Sequence, residues 1–267
     1  MKILLISGSH PRHFYVHKKV IDMNFECKAV VMKREELIPD FEEIKNEQDK
    51  TNMKRHFNDR FEIEKKIYGS SSVSVAFSNI EYIECEKNNL NSEKINLFVK
   101  SFKADICIVF GSGMIKSDLL ELLPIDTVNV HLGLSPQYKG SATLFWPFYN
   151  VEPQFAGATF HKVTKSADAG GILHQCVPKL EKNDKIHDVG VKVVIKAAED
   201  LVRLLELRKH TKWTYIPQKA VGKLFLIKDF KPFHLRVIYD LFENKIVDEY
   251  LERQNQSEKP NLIEGLK

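Results

Sequence analysis

Ile106-Cys107-Ile108-Val109-Phe110-Gly111-Ser112-Gly113 opens with apolar residues that show no polar alternation and closes in a glycine turn. A strand exposed on one face alternates apolar and polar positions, whereas a parallel strand covered on both faces does not. The run therefore predicts a central strand of a parallel sheet with helices on both sides. Working outward, Lys2 to Ser7 has the same character and ends in the turn Gly8-Ser9-His10-Pro11, after which Arg12 to Met23 has helical patterning. Ala29 to Met32, Ile80 to Cys85 and Thr127 to His131 are further strands. Short β-rich runs alternating with helices place the chain in the α/β class, with a Rossmann-like, mostly parallel sheet.

The polar stretch from about Asp40 to Ser72 predicts a long, exposed helix with the exit Gly69-Ser70-Ser71-Ser72. Downstream, Gly157 to Val163 and Gly171 to Val177 are strand candidates flanking the loop Thr164 to Gly170. Asn183-Asp184 offers an N-cap for a helix whose apolar residues, Ile186, Val189, Val193, Val194, Ala197, Leu201, Leu204 and Leu205, recur at helical spacing. Lys223 to Ile227 is strand-like, His234 to Phe242 helical, and the tail from Gln254 polar. The expected organisation is a main domain over 1–212 and a C-terminal extension over 213–267.

With 43% hydrophobic and 28% charged residues in 267, collagen-like, coiled-coil and disordered classes are excluded. A net charge of +4, from 40 basic and 36 acidic residues interspersed along the chain, gives no argument for a nucleic-acid or membrane partner. No stretch approaches the roughly 20 apolar residues of a membrane span. The first residues lack the basic leader and long apolar core of a signal peptide. Cys27, Cys85, Cys107 and Cys176 lie far apart without CxxC spacing, so reduced core cysteines, no metal site and a cytoplasmic location are expected.

The chemistry centres on Asn129-Val130-His131-Leu132-Gly133-Leu134-Ser135-Pro136, followed by Tyr138-Lys139-Gly140-Ser141. Residues two apart in a strand point to the same side, so Asn129 and His131 project together at a strand's C-terminal end, where open α/β sheets build their sites. Asp168 lies further on, in the glycine-rich loop Ser166-Ala167-Asp168-Ala169-Gly170-Gly171. Singly, each has an ordinary structural role: a packing histidine, a capping asparagine, an Asx-turn. Together, an amide, an imidazole and a carboxylate suit acyl transfer, with a donor for the oxyanion, a group that moves a proton and an anion that orients it.

In these residues the chain resembles the 10-formyltetrahydrofolate-dependent formyltransferases, a family that includes glycinamide ribonucleotide, methionyl-tRNA and sugar N-formyltransferases. The resemblance rests on Asn129, His131, Pro136, Gly140 and Asp168 in that order, within roughly Asp105 to Leu205. It implies the formyltransferase fold, 10-formyltetrahydrofolate as co-substrate, no metal, and Asn129, His131 and Asp168 as catalytic residues. It also implies a folate pocket between Gly111, Ser112, Gly113, Met114 and Ile115 on one side and Val163, Thr164 and Ala167 on the other. The serine that commonly follows the family's histidine by two residues is Gly133 here, which argues against a role for a hydroxyl at that position but not against the triad; if that hydroxyl is dispensable, a Gly133→Ser change is expected to be nearly neutral.

Gly8, Ser9 and His10 form a turn between strand and helix where backbone N–H groups commonly hold phosphate, although a purely structural turn fits as well. His56, Arg60 and Glu64 share one face of the predicted polar helix; such a row is commonly a solvated ion-pair ladder, but Lys54, Arg55, His56 and Arg60 near the site's mouth also suit a nucleotide diphosphate. Lys139 and Tyr149 complete the expected acceptor contacts. By resemblance, the short extension favours a nucleotide-linked amino sugar of surface-polysaccharide synthesis over a tRNA or glycinamide ribonucleotide. A 10-formyltetrahydrofolate hydrolase and a non-catalytic nucleotide-binding module stay open as alternatives. The apolar run at Leu224 to Ile227 is a candidate edge for a homodimer.

Overall fold

The computed structural model describes residues 1–35, 38–69, 72–219 and 222–266; Ser70 and Ser71 of the predicted helix exit lie outside them. The strands are β1 (Lys2–Gly8), β2 (Glu26–Met32), β3 (Glu81–Cys85), β4 (Ile106–Phe110), β5 (Asp126–His131), β6 (Tyr138–Gly140), β7 (Ala158–Lys162), β8 (Ile172–Cys176) and β9 (Lys223–Phe225). The helices are α1 (Pro11–Ile21), α2 (Glu47–Tyr68), α3 (Val73–Ala76), α4 (Glu93–Phe102), α5 (Ser117–Leu122), α6 (Trp146–Tyr149), α7 (Ile186–Arg208) and α8 (Ile246–Arg253). Seven strands form one sheet in the order β3-β2-β1-β4-β5-β7-β8. Pairing is parallel from β3 through β5 and antiparallel at β5–β7 and β7–β8.

The apolar strands earn their central places by feeding two cores. Ile3 and Leu5 of β1 and Ile106, Ile108 and Phe110 of β4 face α1, α2 and α7. Leu4, Ile6, Cys107 and Val109 face α4 and α5. Ile3 to Ile6 are all 0% exposed, and full burial of such a side chain is worth about 1.5–3 kcal/mol. The chain leaves β1 toward β2 and β3 on one side and returns through β4 and β5 on the other. The β1/β4 boundary is thus the topological switch point, outside whose C-terminal ends α/β sheets bind ligands.

Several expectations change. The polar helix α2 is not exposed: it packs on α1 and α7, and Asp49, Asn52, Met53, His56 and Glu64 are buried. Its outer neighbour is the C-terminal extension. Gln48 and Asn52 donate to Asp240 at 2.9 and 3.0 Å, Arg236 pairs with Asp49 at 2.6 Å, and His56 meets the Tyr239 hydroxyl at 3.0 Å. The N-cap of α7 is Lys185 rather than Asn183-Asp184; its N–H donates to Asp188 at 2.8 Å, while Asn183 turns the chain with φ 72°. The strand expected over Lys223 to Ile227 stops at Phe225, and its partner is β6 of the same chain. The helical pattern at His234 to Phe242 becomes a short 3₁₀ turn, Pro232–His234, and a π-helical turn, Val237–Leu241. The polar tail returns to the sheet. Ile216 and Ile263 both hydrogen-bond the outer edge of β8, at 2.7 Å from Ile172 N–H and 2.8 Å from Gln175 N–H, so that edge is covered.

Candidate active site

Asn129 and His131 end β5 next to the switch point. The antiparallel register of β7 sets His161 directly opposite Asn129, and the Asn129 amide Nδ2 lies 3.1 Å from His161 Nε2. A register shift between Phe160 and His161 interrupts the β7–β8 ladder there; irregularities of this kind re-aim side chains beside active sites. His161 Nδ1 is 3.0 Å from the Lys162 carbonyl. A carbonyl only accepts, so the proton sits on Nδ1 and Nε2 takes the Asn129 N–H.

Asp168 reaches the same point from its loop, in the left-handed conformation at φ 47° that aspartate tolerates better than most residues. Its Oδ1 lies 3.3 Å from His161 Nε2 and its Oδ2 3.6 Å from His131 Nδ1, and it accepts the Gly140 N–H at 2.9 Å. Burial by itself would raise this carboxyl. The close approach of His161 and His131 and the Gly140 amide outweigh that and hold it well below the usual carboxylate range. Gln218, beyond α7, pins the loop by donating to the Asp168 and Gly170 carbonyls at 2.8 and 2.7 Å. Gly170 is obligatory, because a Cβ there would stand 1.8 Å from the Lys162 carbonyl.

His131 is 7% exposed, and its Nε2 lies 2.9 Å from the Tyr138 carbonyl. The proton therefore sits on Nε2, and Nδ1, on the Asp168 side, is the nitrogen left for chemistry. Burial lowers its pKa, against the opposing pull of Asp168, so the resting ring is neutral at pH 7. Gly133 overturns the expectation attached to it. A Cβ at this position would lie 2.7 Å from His131 Nε2, from Thr143 Cβ and from the Tyr138 carbonyl, so the residue is glycine because the imidazole and its carbonyl partner occupy the space.

The remaining predicted residues fall into two regions. Gly111 to Ile115 follow β4 as irregular chain at the C-terminal edge. Gly111 has φ 74°, the Gly113 N–H meets Met32 Sδ at 3.2 Å, and the Ser112 hydroxyl donates to the Gly113 carbonyl at 3.0 Å. Met114 is 66% exposed while Ile115 is buried. Across from them, Val163 is tied to the Thr127 carbonyl at 2.9 Å, Thr164 donates to Ser166, and Ala167 is exposed. At the tip of β1, Gly8 and Gly111 both make room for the His13 ring. The His10 N–H is taken by His13 Nδ1 at 3.2 Å, and the Ser9 hydroxyl accepts the Arg34 N–H at 2.8 Å, so two groups of this turn serve the protein itself. Lys139 lies in β6 opposite Leu224, and Tyr149 packs between Phe145 and His234. His56 is buried against His187, with ring centroids 4.5 Å apart, on the side where Arg12 meets Glu64 at 2.9 Å.

The sequence profile of the formyl transferase family matches residues 3–205. The chain belongs to this family. A methionyl-tRNA formyltransferase of Dictyoglomus thermophilum is 31% identical over 157 residues, 58% of this chain and 49% of that protein. The chain spans about half or less of the length of the curated relatives it matches. Among solved structures, an N-formyltransferase from Helicobacter canadensis, in complex with folinic acid and dTDP-3-aminofucose, has 15% identity and a TM-score of 0.59, covering 86% of this chain and 73% of that one. The formyltransferase PseJ from Anoxybacillus kamchatkensis, in complex with UDP-4,6-dideoxy-4-formamido-L-AltNAc and tetrahydrofolate, has 18% identity and a TM-score of 0.51, covering 92% and 96%. At these identities the formyl transferase fold is what is shared.

Sequence reasoning missed His161, whose place depends on strand register and a local irregularity. No pattern within Ala158 to Lys162 singles it out, because its place follows from lying opposite Asn129 in the ladder. Among the described residues no cluster of three or more histidine, cysteine or acidic side chains is placed to hold a metal, and no helix is long and apolar enough to cross a membrane.

Proposed function

We propose that the protein transfers the formyl group of 10-formyltetrahydrofolate to the amine of a nucleotide-linked amino sugar. The convergence of Asn129, His131 and Asp168 beside the β1/β4 crevice carries this reading, and the ligands in the two nucleotide-sugar complexes above support the acceptor class. The irregular segments 111–115 and 163–167 flank the crevice with peptide groups outside the sheet ladder, which suits a pteridine. Gly8, Ser9, His10, His56, Arg60, Lys139 and Tyr149 are assigned to the acceptor side, and residues 213–267 act as an extension that braces α2 and the Asp168 loop.

The acceptor amine attacks the formyl carbon and its proton passes to His131 Nδ1, whose neutrality at rest makes it a base. The imidazolium so formed is held by Asp168. Its Nδ1–H and the second N–H of Asn129 Nδ2 then bind the oxyanion of the tetrahedral intermediate. Loss of one such donor costs about 2.7–4 kcal/mol of barrier. Collapse breaks the bond from the formyl carbon to folate nitrogen, and the proton returns to that nitrogen.

The test is mass spectrometry of a panel of nucleotide-linked amino sugars incubated with protein and 10-formyltetrahydrofolate, with glycinamide ribonucleotide and a no-acceptor control. A formyl mass gain on an amino sugar is expected. Folate deformylated only in the absence of any formylated amine would replace transfer by hydrolysis.

A further inference from the structure

The tautomer of His131 depends on one carbonyl, that of Tyr138, which takes the ring's Nε2–H at 2.9 Å and so leaves Nδ1 as the nitrogen that accepts a proton. What holds that carbonyl in place lies outside the site. Strand register sets His131 of β5 opposite Thr159 of β7, and Thr159 opposite Gln175 of β8. Cross-strand neighbours put their side chains on one face of a sheet, so a polar row runs from the imidazole to the outermost strand. His131, Thr159 and Gln175 are all buried, at 7%, 0% and 5% exposure.

Beyond His131, this row grips the turn that follows β5. The Thr159 hydroxyl donates to the Gly133 carbonyl at 2.7 Å and accepts the Ser135 N–H at 2.9 Å. Gln175 Nε2 donates to the Ser135 carbonyl at 2.6 Å and to the Thr159 hydroxyl at 3.3 Å. The same turn delivers Tyr138, whose N–H bonds the Leu134 carbonyl at 2.8 Å. An amide presents its nitrogen to Ser135 only with its oxygen turned the other way, and that oxygen takes the Ile263 N–H at 3.1 Å. Ile263 is itself seated on β8, its carbonyl accepting the Gln175 N–H at 2.8 Å, and the Gly265 N–H continues the contact to His174 Nδ1 at 3.2 Å. A buried polar network in which each group is satisfied is rigid, and one missing partner is costly.

We propose that Gln175 is a positioning residue for His131: oriented by Ile263 of the C-terminal segment, its amide fixes, with Thr159, the turn over 133–138 and hence the carbonyl that sets the imidazole's tautomer. The proposal rests on the reading of His131 as the base in formyl transfer. Gln175 acts through the turn alone, and the far end of the extension thereby takes part in setting the catalytic centre.

The test uses the full chain with Gln175→Met, which keeps the length of the side chain and removes its hydrogen bonds, Thr159→Val, and Ile263→Pro, which removes the one N–H that orients the amide. Gln154→Ala is the control, since it releases another tether of the tail, the bond to the Glu258 carbonyl at 3.0 Å. Steady-state kinetics of formyl transfer are read beside nitrogen NMR of histidine-labelled protein, with the His131 ring signals assigned by their loss in His131→Ala. Gln175→Met and Thr159→Val are each expected to lower kcat about tenfold with both KM values nearly unchanged, and to convert His131 from the Nε2–H form to a mixture of tautomers. Ile263→Pro should move both readouts the same way, and Gln154→Ala neither. The double variant Gln175→Met/Thr159→Val should fall short of additive, because the two side chains hold one turn. Circular dichroism checks each fold; if Gln175→Met does not fold, Ile263→Pro, which leaves the row's side chains in place, decides by the same readouts. An unchanged tautomer overturns the proposal, whether kcat falls or not, since a loss of rate without it marks a merely structural residue. A tautomer that shifts in a protein formylating no amine upholds the positioning role and sinks the formyl-transfer reading. Transfer by the wild type with a tautomer indifferent to Gln175 does the reverse.

Discussion

At the scale of single residues, the site is governed by which nitrogen of each imidazole is already engaged. His131 gives its Nε2–H to the Tyr138 carbonyl, so Nδ1 is the nitrogen left for the proposed role as base. His131→Ala should therefore abolish turnover by several orders of magnitude in a folded protein, and steady-state kinetics near wild type would remove the role given to it. Gly133 makes a less obvious claim. A serine hydroxyl placed there is not a harmless addition, because its Cβ alone falls 2.7 Å from His131 Nε2. Displacing a catalytic group by about 1 Å can cost on the order of a hundredfold in rate. Gly133→Ser is expected to lose that much kcat with little change in either KM, and an unchanged kcat would show that the ring yields without consequence.

At the scale of elements, the Asp168 loop is held from outside the sheet. Its two anchoring carbonyls are bonded by Gln218, and Gly140 of β6 supplies the amide on the carboxylate. Gln218→Ala should free the loop, lowering kcat about tenfold and speeding amide hydrogen exchange across residues 164–170 while β4 and β5 keep their protection. Equal protection in both proteins would mean that the loop is set by β7 and β8 alone. This arrangement marks where the sequence stops being legible. Strands β1 and β4 showed themselves as apolar runs, and Asn129 and His131 as polar residues at a strand end, with Asp168 in the glycine-rich loop beyond. The facing of α2 did not, because its apolar content is low and its inward residues, Asp49, Asn52, His56 and Glu64, find their partners in α1, α7 and the extension. Polarity read along one helix cannot tell water from a buried partner almost 190 residues away. His161 was hidden for a similar reason, since a strand's own pattern does not reveal which residue lies across the ladder.

At the scale of the whole molecule, the extension leaves Leu224, Leu226, Ile227 and Phe233, in β9 and the chain that follows it, between 44% and 77% exposed. Apolar surface concentrated in this way is commonly covered by another chain, and sedimentation at micromolar concentration is expected to show a dimer; a monomer throughout would set that aside. A second global property follows from the histidines. His13, His17 and His56 are buried at 5%, 0% and 6% exposure, and burial foremost pushes each below its ordinary value, to about 3 for His17, whose two ring nitrogens have no partner among the described residues. Unfolding returns each ring to a pKa near 6.5. Below that pH the unfolded chain binds protons that the folded chain refuses, so stability falls as pH falls. Each such ring adds about 1.4 kcal/mol per pH unit to the slope between its two pKa values. The depressed Asp168 acts in the same direction, but only below the ordinary carboxylate range. Urea denaturation is therefore expected to give full stability above pH 7 and a steep loss between about pH 6.5 and 4. His17→Met should both raise stability, by about 1–3 kcal/mol for removing an unpaired buried polar group, and make the slope shallower by one proton. A slope unchanged in that variant would mean that His17 is protonated, and paired, inside the folded protein.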